Sequence, residues 1–295
     1  MAVIPGEIDL VAAQQPKRRG AVATYIRRHP TIVIGGALFA LMIAIAVLAP
    51  LLHTVDPLAL APAKRLKWPS AEYWFGTDML GRDLYSRTIY GARVSLIVGI
   101  SVALAATSLG LVVGLVTGFN RWVDAVVMRI MDGLMAIPGV LIAIALMALT
   151  RASISNVVFA ITVSEVPRVT RLVRSVVLTL REQPFVEAAI ASGTRHVLLL
   201  WRHIVPNTLA TLLVQGTYIC ASAMITEAIL SFIGAGTPPT TPSWGNIMAE
   251  GRAVFLVAYY IVLFPGIFLS LTVLSINLLG DGLRDAIDPR LARRL

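Results

Sequence analysis

The sequence has little charge and almost no cysteine: 14% of its 295 residues are charged, and Cys220 is the single cysteine. One thiol inside an apolar run excludes a disulfide framework and a thiolate metal cluster, so Cys220 reads as a packing residue. Lysine is also scarce. Lys17, Lys64 and Lys67 are the only three, and none stands in the G-x-x-x-x-G-K-[ST] loop that cradles nucleotide phosphates. The energy for any ATP-driven work must come from another polypeptide. H-E-x-x-H, G-x-S-x-G and paired intramembrane aspartates are missing as well. His29, His53, His196 and His203 fall at or outside the ends of apolar runs, with no metal-ligand spacing backed by carboxylates. A membrane-embedded enzyme is therefore disfavoured, and no catalytic or metal-binding residue is assigned.

Apolar residues take the place of charge. At 57% hydrophobic and a mean hydropathy of +0.80, the chain has more apolar surface than one soluble core can hide, so much of it must face lipid. The formal charge of +9 would suit nucleic acid, but the basic residues gather at the ends of apolar runs, where cytoplasmic anchors are expected. The partner is a lipid membrane, with no nucleic acid.

A span needs about 20 mainly apolar residues. The sequence offers runs at 31–52, 94–119, 123–149, 156–180, 208–233 and 254–279, which predicts an all-α integral membrane protein with six transmembrane helices. The first run is longer than the roughly 7–15-residue core of a cleavable signal, so it is expected to be retained. Residues 1–30 then form a cytoplasmic N-terminal segment and 53–93 an extracytoplasmic loop rich in proline, with Trp68, Tyr73 and Trp74 suited to the interface. Residues 94–280 form the membrane core and 281–295 a cytoplasmic tail. On this topology 17 Lys and Arg lie inside and eight outside, as the positive-inside rule requires.

Within the core, Gly110, Gly114 and Gly118 form overlapping GxxxG units that let a neighbouring helix approach closely, in this chain or in another subunit. The third run contains Pro138, and its Arg129 and Asp132 are spaced to neutralise each other along one helix. Glu165, Pro167, Arg168, Arg171 and Arg174 make the fourth run the one a hydropathy scan would miss. Ionisable groups inside a span are costly and tend to face a path or a partner. Glu165 and Glu227 are therefore path or gate candidates, although Arg168 can pair with Glu165 and Glu227 can bond across helices. Met135 could line a permissive path, as could Met147, because methionine adapts to varied shapes.

Residues 181–207 lie between the fourth and fifth runs, on the expected cytoplasmic face. They contain Glu187-Ala188-Ala189, then Gly193 four residues after the last alanine, then Pro206 thirteen beyond the glycine. Small side chains at Ala188, Ala189, Ala191 and Ser192 let a short helix seat deeply in a groove. Gly193 permits a left-handed turn, and Pro206 marks the start of the next span. Glu187 and Arg195 are placed for charge contacts at the rim. An ordinary amphipathic interfacial helix is the alternative, which Leu198 to Trp201 alone would allow.

This pattern resembles the EAA loop of ABC importer permeases, with His203 as is common in the peptide-importer branch. Further stretches are similar to the dipeptide, oligopeptide and nickel permeases, specifically their C-type partner subunit. They are Phe75-Gly76-Thr77-Asp78 with Gly81-Arg82-Asp83, Ser86-Arg87 and Tyr90-Gly91-Ala92-Arg93; Leu230-Ser231-Phe232-Ile233-Gly234 with Pro242-Ser243-Trp244-Gly245; and the run from Gly280 through Asp281, Arg284 and Asp285 to Pro289. The resemblance implies a type I ABC importer permease fold in a bacterial inner membrane with both termini cytoplasmic. It implies a homologous second permease as heterodimer partner, one or two ABC ATPase subunits, and an extracytoplasmic substrate-binding protein. ATP and Mg would bind the ATPase, with no cofactor on this chain. It makes Glu187, Ala188, Ala189, Ser192, Gly193, Arg195, Arg202, His203 and Pro206 the ATPase-coupling residues. Asp78, Arg82, Asp83 and Trp244 become candidates for the binding-protein side, a salt-bridge network holding the loop being the competing account for the charged ones. Di- or oligopeptides are the expected solute, with nickel chelates and glutathione-like molecules as alternatives. An ATP-independent secondary transporter is a distant one, since no inverted repeat is evident.

Overall fold

The computed structural model describes residues 29–287. The N-terminal basic residues Lys17, Arg18, Arg19, Arg27 and Arg28 and the tail from Asp288 onward lie outside the described residues. Helix α1 (Pro30–Val47) starts on a proline, whose missing N–H is free anyway in a first turn. Helix α2 (Leu84–Phe119) begins ten residues before the expected span at Val94, because Asp83 caps it by accepting from Ser86 N at 2.8 Å. Helices α3 (Arg121–Met135), α4 (Gly139–Ala148) and α5 (Ile154–Arg181) follow, then α6 (Pro184–Ala191) and α7 (His196–Leu199). A π-helical turn over Leu200–Ile204 leads into α8 (Val205–Phe232), and α9 (Trp244–Arg252) and α10 (Tyr260–Ile287) complete the described residues.

Helices α1, α2, the run Val197–Phe232 and α10 are each long and apolar enough to cross a membrane, and α3 with α4, bent by 88° at the break between them, is apolar enough as a pair to make a broken span or a re-entrant loop. Helix α5 has 28 residues, about 42 Å at the standard rise of 1.5 Å per residue, but its charges keep it out of that set. Counting it gives a set consistent with six spans. The third span corrects the expectation of one helix over 123–149. Pro138 has no N–H to continue the ladder, and its extended ψ of 128° turns the chain before Gly139. The last span begins at Tyr260 rather than Val254, after turns over residues 253–257.

The GxxxG units serve packing inside this chain. A Cβ on Gly110, Gly114 or Gly118 would come within 2.5–2.6 Å of Val169, Val173 or Val177, so α2 and α5 lie side by side with their glycines facing valines. Those valines join Val98, Val102, Ile161, Leu212 and Ile219 in the main apolar core. Cys220 packs with Met224, Trp244 and Ile276 in a second cluster. Asp132 does not pair with Arg129. It accepts from Arg171 of α5 at 2.6 Å, and Asp124 accepts from Arg174 Nη2 at 2.7 Å. Two acidic residues of α3 are thus matched to two arginines of α5, which fixes how the broken span crosses its neighbour. The loops 48–83 and 233–259 gather at one end of the bundle, and α6–α7 lies at the other.

Candidate functional site

At the loop end the charged residues form an interior network. Asp78 Oδ2 accepts from Arg82 Nε at 2.6 Å and from Arg87 Nη1, while its Oδ1 accepts from the Leu80 and Arg82 amides. Glu250 of α9 accepts from Arg82 Nη2, from Arg87 Nη1 at 2.6 Å and from Arg87 Nη2 at 3.1 Å. Two carboxylates and two guanidinium groups thus balance, tying loop 48–83 and α2 to α9. Asp78, Arg82 and Arg87 are all buried, and Trp244 is completely buried with its Nε1 donating to Thr88 O at 3.0 Å. These side chains tie the loop to α2 and α9 from the interior. Asp83 takes no part in the network, being the α2 cap. Glu250 escaped sequence reasoning because it is 163 residues from Arg87, and its only signal was an unpaired acid in a polar helix.

Glu227 sits beside this network. Its Oε1 accepts from Ser231 Oγ at 2.8 Å, from Ser243 Oγ at 2.9 Å and from Thr237 Oγ1 at 3.4 Å. Asn246 then donates to the Thr237, Pro238 and Thr241 carbonyls. Glu227 therefore pins the chain between α8 and α9. One partner, Ser231, lies a turn along α8, and the other two, Thr237 and Ser243, lie on the segment leading to α9. Outside the bundle, Lys64 donates to Glu72 at 2.9 Å and to Tyr73 OH. The Tyr73 and Glu72 bonds push the lysine above its ordinary value, and the Lys64 bond draws the Glu72 carboxyl below the usual carboxylate range.

The opposite end is built differently. Helix α6 closes with a Schellman motif: Thr194 N donates to Ala189 O at 3.1 Å, Gly193 N donates to Ile190 O at 2.9 Å, and Gly193 takes φ +78°. This is the left-handed turn expected of Gly193, and nothing lies within 4 Å of a Cβ placed there. Val186, Leu199 and Ile204 are buried and root the segment in the main core. Outside them, Glu187, Ala188, Ser192, Arg195 and Arg202 are exposed. So are Phe185, Ile190, Leu198 and Trp201, the last 68% exposed. The ring of His203 stands 6.2 Å from that of Phe185, and its carbonyl accepts from Asn207 Nδ2 at 2.6 Å. Val205 donates back to Leu200 O, a five-residue step that sets the π turn, and Pro206 falls in the first turn of α8.

The remaining path candidates separate. Met135 is exposed at the break before α4, and Met147 is buried. Glu165 is buried on α5, with Arg168 Nη1 at 3.4 Å from its Oε2 and Ser222 Oγ of α8 at 3.5 Å from its Oε1.

Residues 106–293 match the family described as "Binding-protein-dependent transport system inner membrane component". The chain is 52% identical over 273 residues to the "Probable peptide ABC transporter permease protein y4tQ" of Sinorhizobium fredii, covering 92% of this chain and 94% of the relative. It is 40% identical over 267 residues to the "Dipeptide transport system permease protein DppC" of Alkalihalophilus pseudofirmus, covering 90% and 88%. It is 39% identical over 269 residues to the "Glutathione transport system permease protein GsiD" of Pectobacterium atrosepticum, covering 90% and 89%. With that much of the sequence matched, and with a helical bundle built to cross a membrane, the chain belongs to the binding-protein-dependent transport system inner membrane component family, the membrane permease subunits of ABC transporters.

Proposed function

We propose that the chain is one half of the translocation path of an ATP-driven importer of di- or oligopeptides, and that it takes its power stroke through α6–α7. The observation that carries the coupling role is the exposed apolar and small-residue rim of Phe185, Ala188, Ile190, Leu198 and Trp201. It is mounted on a helix whose other side, Val186, is locked into the core. A water-exposed rim of this kind is covered in the working state, and a helix end rooted in the core transmits a push to α5 and α8. On this reading α6–α7 is cytoplasmic, as are both termini. An ABC ATPase chain, one or two per complex, binds ATP and Mg below it, a homologous permease completes the path, and an extracytoplasmic binding protein delivers solute at the loop end. Alternating access follows from rocking of the two permeases. Peptide is the favoured solute because relatives at 52% and 40% identity carry peptide and dipeptide names. A glutathione-like tripeptide is the second reading, favoured by the relative at 39%.

Affinity purification of a tagged chain from cells holding its native partners tests the coupling role. Wild type should retain a second permease and a Walker-A protein. Glu187→Lys and Gly193→Pro should keep the permease and lose the ATPase, and Trp201→Ala should weaken ATPase binding by about tenfold or more, as an anchoring tryptophan does. Retention of the ATPase by all three variants overturns the assignment. Uptake that persists without ATP while a proton gradient is held overturns the importer reading itself.

A further inference from the structure

Two buried glutamates on facing helices differ in how their oxygens are filled. Glu227 accepts from three hydroxyls on Oε1, and its Oε2 has no partner. Glu165, 7% exposed, has one long contact at 3.5 Å on Oε1 and no hydrogen-bond donor on Oε2. Arg168 stands 3.4 Å from that oxygen, near enough for attraction but outside hydrogen-bond geometry. Pro167, inside the same helix, supplies no N–H to the Val163 carbonyl four residues back. The middle of α5 thus holds acceptors with unused capacity. Beside them is a guanidinium, its side chain 60% exposed, with unused donors.

From Glu165 and Ser222 a polar strip runs toward the α6–α7 end. On α8 it passes through Tyr218, Gln215 and Thr211, spaced three or four residues apart and therefore on one face. On α5, Arg168 and Leu172 follow Glu165 at three- and four-residue steps and so share its face. Its far end is a cleft of about 480 Å³ lined by Leu172, Thr211, Gln215, Tyr218 and Arg284 of α10. Tyr218 donates to Asp281 there. Polar and ionisable side chains collected on one face of an apolar helix face the bundle interior or a water-filled cavity rather than hydrocarbon.

We infer that this face of α5 and α8 is a binding station for zwitterionic solutes, in which Glu165 takes the substrate ammonium and Arg168 its carboxylate. This rests on the importer reading above. The sense of the site follows from where the unused capacity lies. The buried acceptors suit a compact ammonium with three donors. The exposed guanidinium, one turn on, suits a carboxylate, which it can bind through two parallel bonds. A free dipeptide carries both groups, and enters amino end first.

The complete importer, with its second permease, ATPase and binding protein, is reconstituted in liposomes, and ATP-dependent uptake of radiolabelled alanyl-phenylalanine is measured. Glu165→Gln and Arg168→Gln should each lower uptake by about tenfold or more, the loss of one hydrogen bond to a charged group, while still co-purifying with their partners. Glu165→Asp and Arg168→Lys should restore most of it. Gln variants that transport at the wild-type rate overturn the zwitterion site and leave the importer reading standing. A wild-type complex that shows no ATP-dependent uptake of the dipeptide overturns both. If the Gln variants fail to assemble, the Asp and Lys variants decide: restored uptake supports the site, and uptake as poor as that of the Gln variants overturns it.

Discussion

At the loop end, Asp78, Arg82, Arg87 and Glu250 meet, and each of the four carboxylate oxygens accepts from a donor. At the other end Glu187, Arg195 and Arg202 stand in solvent beside exposed Phe185, Ile190 and Trp201. Both regions are charged, and both carry sequence motifs, yet the first is closed on itself and the second is incomplete. Buried charge whose carboxylate oxygens are all supplied, here with only Arg87 Nε left over, specifies a shape. Charge left exposed around an apolar rim, on a segment rooted in the core, offers a surface. Glu227 and Glu165 differ on one oxygen only: each leaves Oε2 without a donor, while Oε1 takes three hydroxyls in the first and one long contact in the second.

The largest effect should come from opening the closed cluster. Asp78→Ala leaves two buried guanidinium groups facing the single carboxylate of Glu250, and removing one partner of a buried ionic network costs about 3–5 kcal/mol. The thermal midpoint of the detergent-solubilised chain should fall far more for Asp78→Ala than for Glu187→Ala, whose side chain is exposed. Equal shifts would erase the contrast between the two ends.

Two glycines give a finer version of the same contrast. Gly81 and Gly193 have φ of +75° and +78°, so alanine at either costs roughly 1–2 kcal/mol for the left-handed backbone. At Gly81 the added Cβ would also lie 1.9 Å from the Ala61 carbonyl oxygen, whereas at Gly193 it meets nothing within 4 Å. Gly81→Ala should therefore cost a further 1–3 kcal/mol or so from overpacking, read as a lower melting midpoint than Gly193→Ala. Gly193→Asn should keep both stability and ATPase retention, because asparagine tolerates the left-handed turn. Loss of stability at Gly193 equal to that at Gly81 would mean that the segment is packed rather than open.

The legible parts of this molecule are the local ones. Gly193 and Pro206 act within their own turn, so spacing alone placed the Schellman motif and the start of α8. The glycine repeat of α2 announced a close contact, but its partner, Val169, Val173 and Val177, lies on a helix that charge made hard to recognise. Pro138 was visible, yet the bend depends on α3 being held across α5 by Asp124 and Asp132, and an i, i+3 rule read those acids within their own helix. Glu250 and Asn246 were illegible because what they bond arrives from distant turns. Spacing reports a residue's own element, while partners across the fold are set by topology.

The smallest effect is expected at the loop end itself, outside the buried cluster. Lys64 and Glu72 are 2.9 Å apart, but their side chains are 43% and 62% exposed, so solvent screens the pair and ordering two long side chains offsets its attraction. The carboxyl of Glu72 is lowered from its ordinary value of 4.5, so its contribution is present above that value and is lost as pH falls through the lowered one. Lys64 is raised from 10.5, so its contribution is present below that value and is lost as pH rises through the raised one. Between roughly pH 5 and 10 neither group changes protonation, and the pair should leave the melting midpoint flat across that window. Glu72→Gln should shift the midpoint by no more than replicate scatter at pH 7. A shift approaching that of Asp78→Ala would show that the outer loop depends on its exposed charges as much as on its buried ones, and that saturation in the interior is not what closes this end of the molecule.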